Sequence, residues 1–223
     1  MARHLAFLFV FSLIVSGCFS IYVSPYETIR GNGDVITEER SLPSFTSVRI
    51  TGARTTVLHG DSEGPILITG ESNILDHTLS YVEDGTLIIT SETRKNMRPR
   101  EEVFIEIPGR DVSEVRVSGS NNITLLDIDK PVFQIRGSGS TKVTASGFAD
   151  DLEIRMSGSS VIDAGALSAE YVTIRTSGSS EAIISVEDAL ASHSSGSSSI
   201  RYYGKPGSIE QHASGSSSLQ RIW

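Results

Sequence analysis

Six cations share one register in the second half of this 223-residue chain: Arg116, Arg136, Arg155, Arg175, His193 and His212. Each lies three residues before a glycine. Those glycines (Gly119, Gly139, Gly158, Gly178, Gly196 and Gly215) follow one another at steps of 20, 19, 20, 18 and 19 residues. A guanidinium makes paired hydrogen bonds to carboxylate or phosphate. A row of them is a stripe for an anionic glycan or a lipid headgroup. Like charges about 5 Å apart repel by roughly 1 kcal/mol per pair in water before screening, so the row needs counter-charges. Glu114, Glu153 and Glu210, two residues upstream, can supply them. The competing reading is therefore a salt-bridged, solvated outer face. The two histidines make that end sensitive to pH near about 6.5. Metal binding is not expected, because no third ligand stands in register with them.

The neighbouring columns offer weaker chemistry. Serine precedes and follows every one of the six glycines, from Ser118 and Ser120 to Ser214 and Ser216. Such hydroxyls satisfy corner backbone groups, or form a polar rib that meets sugar hydroxyls. None is distinguished by an adjacent base, so no nucleophile is expected. Asp111, Asp150, Glu170 and Asp188 lie eight residues before a glycine. They read as turn chemistry, since calcium needs six to eight converging oxygens. No catalytic set and no cofactor site emerges. Arg94, Lys95, Arg98 and Arg100, around Pro99, read as a solvated loop, with anionic lipid as the alternative contact.

These columns need a scaffold that keeps register. Apolar residues alternate with polar ones before each glycine, as in Leu152-Glu153-Ile154 and Val172-Thr173-Ile174, and again after it. Period two means strands with one buried face. Strands broken by Ser-Gly-Ser corners at a fixed period mean stacked repeats. The expectation is an all-β, right-handed parallel β-helix or β-solenoid with about 19 residues per coil. Residues 111–223 form the regular repeats and 31–110 a less regular β half. Within the latter, Val48 to Gly52 is a degenerate copy of the repeat. Asp84-Gly85 is the turn of a hairpin. Trp223 should pack on the last repeat.

The first residues carry an address. Arg3 and His4 precede an apolar run from Leu5 to Val15, too short to span a bilayer, and then Val15-Ser16-Gly17-Cys18. The last four resemble a bacterial lipobox. That resemblance implies a signal peptide over 1–17, lipidation of Cys18, a tether over 18–30 and membrane attachment through the lipid. Phe19, not aspartate, follows the cysteine, which points to the outer membrane. Removing residues 1–17 takes away one arginine and no acid, so a formal charge of −8 becomes −8 − 1 = −9. An acidic body argues against nucleic acid as a partner.

The lipobox, Gly31-Asn32-Gly33-Asp34-Val35, Phe45-Thr46-Ser47-Val48, Gly70-Glu71-Ser72-Asn73-Ile74 and the Gly-Ser corners together resemble the head GIN domain family. That family is also labelled auto-transporter adhesin. The resemblance covers most of 31–223. It implies a β-helical fold, a cell-envelope location and no enzymatic activity, and it supplies no catalytic residues. The expected function is a non-enzymatic binding or adhesion module, with the Arg/His stripe as its ligand contact. The alternatives are a polysaccharide lyase or hydrolase on the same kind of fold, and a purely structural envelope lipoprotein.

Overall fold

A computed structural model describes residues 27–223. The signal segment 1–17, Cys18 and the tether up to residue 26 lie outside the described residues. The described residues are all-β, with a single four-residue helix, α1 (Ser72–Leu75). The N-terminal strands are β1 (Glu27–Arg30), β2 (Val35–Arg40), β3 (Ser47–His59), β4 (Ile66–Glu71), β5 (Thr78–Glu83), β6 (Thr86–Ser91), β7 (Lys95–Arg98) and β8 (Phe104–Pro108). There follow β9 (Glu114–Gly139), β10 (Lys142–Gly158), β11 (Val161–Thr176), β12 (Glu181–Ser194), β13 (Ser199–Tyr203), β14 (Ser208–Ala213) and β15 (Ser218–Arg221). Thirteen of these strands share one sheet, and β1 and β7 form a second. No helix among the described residues is long and apolar enough to cross a membrane.

From β9 onward every pairing is parallel, and each residue meets the one about a repeat later. Leu152 pairs with Phe133 and Val172, and Leu190 with Val172 and Ile209. Inward positions before and after each glycine merge into one core, including Phe133, Ile135, Ile154, Ile162, Ile174 and Ile184. The alternation thus buries one face of each strand.

The glycines hold the corners. Gly158 has φ +84°, and a Cβ there would sit 2.6 Å from the Gly139 carbonyl oxygen. Gly178 stands in the same relation to Gly158. Backbone therefore approaches backbone where no side chain fits. Beside each glycine, Ser159 N–H donates to Gly139 O and Ser179 N–H to Gly158 O, both at 2.9 Å.

The N-terminal half mixes directions. The degenerate repeat pairs as expected, Val48 with Val115 and Gly52 with Gly119. The hairpin pairs β5 with β6, and Asp84 and Gly85 both have positive φ (48° and 69°), as a two-residue primed turn requires. β4 runs antiparallel to both β2 and β8.

Two expectations are corrected here. The basic segment around Lys95 is not a loop: Lys95–Arg98 is β7, parallel to β1, with Lys95 Nζ 2.5 Å from Glu27 Oε2. Its backbone groups find partners there, and the end of the expected tether becomes strand. Trp223 does not pack on the last repeat. It is 93% exposed, with the Arg221 guanidinium 4.4 Å above its ring.

One buried carboxylate ties this half together. Glu71 is fully buried. Its oxygens accept backbone N–H groups from Gly33 (2.6 Å), Arg100 (2.7 Å) and Glu101 (3.4 Å). Burial pulls its pKa up, but the three donors outweigh burial and leave it below the usual carboxylate value. A carboxyl with a lowered folded pKa stabilises above its unfolded pKa, and that stability is lost as pH falls through the folded one. Glu71→Gln should therefore lower the Tm by several degrees at pH 7. The gap to wild type should close as pH falls below about 4, as thermal unfolding across pH will show. Gly158→Ala should cost about 1–3 kcal/mol, read as a lower urea midpoint, whereas Ser159→Ala should leave the midpoint nearly unchanged.

Candidate functional site

The outward side of the strand segments before each glycine carries the cations in a column. Arg49 pairs with Arg116, Arg136 with Arg155, Arg155 with Arg175, Arg175 with His193, and His193 with His212. All of these side chains are exposed or half-buried, while the residues flanking each in sequence are mostly buried. Sequence reasoning missed Arg49. Its segment reads Thr51-Gly52-Ala53 where the others read Ser-Gly-Ser, yet Arg49 stands three residues before Gly52 in that degenerate copy, and the register with Arg116 places it in the column.

The expected counter-charges are in place, and two of them are shared. Glu114 accepts Arg116 Nε at 2.7 Å and Nη2 at 2.6 Å, and its Oε1 also lies 3.0 Å from Arg136 Nε. That last contact is off the N–H direction, so Arg136 Nε is buried without a hydrogen-bond partner while Arg136 Nη2 donates to Gln134 at 2.9 Å. Glu153 accepts Arg155 Nε at 2.8 Å, and its Oε1 lies 3.5 Å from Arg175 Nη1. The hydrogen bonds that Arg116 donates to the Glu114 carboxylate hold the Arg116 pKa above its ordinary value. At the far end, the His193 and His212 rings stack 4.9 Å apart with an interplanar angle of 8°. Glu210 lies 2.8 Å from His212 Nε2, which lowers the Glu210 pKa. Among the described residues no group of three or more His, Cys, Asp or Glu side chains is placed to hold a metal ion.

Between this column and the serines runs a groove of about 490 Å³, walled by Arg49, Arg116, Arg136, Arg155 and Arg175 and floored by Val117, Gly137, Met156 and Thr176. Gly137 makes room for the floor, because a Cβ there would lie 2.8 Å from the Met156 sulfur. A second recess of about 570 Å³ continues along Arg175, His193 and His212. The surface thus offers an apolar bottom, guanidinium groups on one wall and hydroxyls on the other. Such a trough suits a long ligand with repeated anionic groups.

The serines split into roles that the triplet alone did not reveal. Those next to the glycines are half-buried or exposed. The hydrogen-bonding ladder is built two residues after each glycine, at Asn121, Thr141, Ser160, Ser180, Ser198 and Ser217. Ser160 Oγ donates to Ser157 O at 2.9 Å, Ser180 Oγ to Ser177 O at 3.1 Å, and Ser198 Oγ to Ser195 O at 3.1 Å. Each closes its own corner from within. The available signal was a polar residue in every copy at a position where alternation demands burial. Arg54 fills the same place in the first copy. It is 3% exposed, donates to Thr51 O and to Ser91 Oγ, and burial pulls its pKa down to about 10. Of the acidic column read as turn chemistry, Asp111 lies in a turn, whereas Asp150, Glu170 and Asp188 fall within β10, β11 and β12, where the chain stays extended; Asp111, Asp150 and Asp188 are exposed and Glu170 is half-buried.

Glu153→Gln should free Arg155 and Arg175 from their common counter-charge. The variant should elute from a cation exchanger at higher salt than wild type, and than an Asp150→Asn control carrying the same net charge.

The family model described as "Putative auto-transporter adhesin, head GIN domain" matches residues 44–206. No functionally curated protein matches the chain. Among solved structures, a putative adhesin from Bacteroides fragilis is similar at a TM-score of 0.70 and 18% identity, over 87% of this chain and 100% of that one. A putative lipid binding protein from Parabacteroides distasonis is similar at a TM-score of 0.59 and 19% identity, over 88% and 100%. A putative adhesin from Parabacteroides merdae is similar at 0.52 and 17%, over 88% and 100%. At these identities the likeness is one of fold.

Proposed function

The chain belongs to the head GIN domain family of putative auto-transporter adhesins, and we propose that it is a non-enzymatic binding module of the bacterial cell envelope that meets an anionic ligand on its arginine face. The observation that carries this reading is a charge imbalance. Five arginines stand in one column, and the acids paired with them are two, Glu114 and Glu153. Each carboxylate is divided between two guanidinium groups, and Arg49 pairs with no acid among the described residues. An anionic group laid over the column gains contacts that the protein does not supply to itself. The apolar groove floor beside it adds area. A glycan bearing carboxylates fits this chemistry, as does a phosphate headgroup.

The scaffold that we propose for this surface is a right-handed parallel β-helix of about 19 residues per coil. The parallel pairings of residues 17 to 20 apart from β9 to β15 support it. Residues 31–223 then form one domain, regular over 111–223 and irregular over 31–110. The lipobox-like Val15-Ser16-Gly17-Cys18 supports removal of 1–17, lipid attachment at Cys18 and an outer-membrane location, with 18–30 leading into the domain.

Surface binding of acidic and neutral glycans, read together with cell adhesion, tests the ligand face. Wild type should bind acidic glycans, and more weakly as salt rises. Changing Arg136, Arg155 and Arg175 together to Ala should weaken that binding at least about tenfold with an unchanged circular dichroism spectrum. Equal binding by the triple variant would remove the arginine face from the function.

A further inference from the structure

The arginine column has a further cleft on its other side. Asp151 pairs with Val132 on one flank and with Tyr171 on the other. With Leu152, Glu153, Thr173 and Arg175 these residues line a cleft of about 350 Å³. Tyr171 is 47% exposed and Val132 45%. Two apolar surfaces therefore stand open to water, one strand apart on either side of a carboxylate. Two strand spacings, about 9–10 Å, separate the levels of Val132 and Tyr171. That span leaves room for one ring above Asp151, with an apolar face against Tyr171.

The polar groups in the cleft want opposite things. The Asp151 carboxylate accepts hydrogen bonds and repels anions, and no ion pair holds it among the described residues. The Thr173 hydroxyl donates or accepts. Arg175 only donates, and the carboxylate near it, Glu153, is also held by Arg155. A phosphate chain would satisfy Arg175 and be repelled by Asp151. A neutral sugar would satisfy Asp151 and leave Arg175 unused. A ring with hydroxyl donors, an apolar face and an acidic group answers all three. Arg175 also lines the apolar-floored groove and the histidine recess, so a ligand seated here continues directly onto the column.

We propose that this cleft is a saccharide subsite for one ring of an acidic polysaccharide. The apolar face of the ring rests on Tyr171. Its hydroxyls meet Asp151 and Thr173, and its carboxylate or sulfate meets Arg175. The next sugars run along Arg155 and Arg136. The proposal rests on the reading of the arginine column as the ligand surface and narrows its ligand class to uronate or sulfated glycans, excluding polyphosphate and lipid.

Calorimetric titration of the folded domain tests it, with oligogalacturonate, a neutral galactan oligomer, inorganic polyphosphate and phosphatidylglycerol vesicles as probes. Oligogalacturonate should bind more tightly than the other three. Tyr171→Ala and Asp151→Asn should each weaken it about tenfold; polyphosphate binding should stay within about twofold of wild type in Tyr171→Ala and should strengthen in Asp151→Asn, which loses the repelling charge. The Arg155→Ala, Arg175→Ala double variant should lose both. If Tyr171→Ala and Asp151→Asn bind oligogalacturonate like wild type while the double variant does not, the subsite is wrong and the arginine face survives. Preference of wild type for polyphosphate or vesicles would overturn the saccharide assignment. Binding that survives in the double variant overturns both readings. Tyr171 is exposed, so a folded Tyr171→Ala variant is expected, and Tyr171→Phe, which keeps the ring, should bind like wild type.

Discussion

Everything in this molecule depends on how close one backbone can come to the next at the glycine column. At Gly139, Gly158, Gly178 and Gly196 the chain turns with positive φ directly against the carbonyl of the preceding copy. A side chain at any of these corners would hold adjacent strands apart. With glycine there, the strands approach to ladder distance, and every other column inherits a fixed position. The core column and the arginine column are both consequences of that one contact. A slip by a single residue would exchange them, because neighbours along a strand face opposite ways.

Close stacking creates an electrostatic difficulty that the outer face resolves by sharing. Identical positions recur at strand spacing, so any charged residue type is repeated against itself. The chain answers with carboxylates placed two residues upstream in alternate copies. Glu114 serves Arg116 and Arg136, and Glu153 serves Arg155 and Arg175. Gln134 and Thr173 occupy the intervening places without charge. This spreads the repulsion without abolishing it. A face fully neutralised by its own acids would have little to offer an anion. A face with none would strain the stack.

Sequence reading reached the parts that follow from periodicity. Alternation around Ile154 and Ile174 told which side is core, and the glycine spacing told which residues would stand in one column. The hairpin at Asp84-Gly85 was legible because its turn demands two positive φ values that this dipeptide tolerates. What escaped was either masked within the repeat or left no periodic trace. Arg49 belongs to a copy without serines. The inner ladder of Ser160, Ser180 and Ser198 was masked by the more conspicuous serines around it. The β1–β7 pairing joins two four-residue strands far apart in sequence, and neither has an apolar pattern to announce it. The Val132–Tyr171 cleft arises from side chains that differ from copy to copy, so column statistics average it away.

The buried carboxylate of Glu71 sets an order of events. Its three donors come from positions 38, 29 and 30 residues distant, on both sides in sequence. None can be supplied by local structure. Until those passages arrive together, the carboxylate must keep its water, and the strand that carries it cannot close over the core. Assembly of this end is therefore slow compared with the addition of one regular strand to another. The regular part needs only its immediate neighbour as template, whereas the end bearing Glu71 needs a simultaneous meeting. The regular end is expected to assemble more readily than the end bearing Glu71.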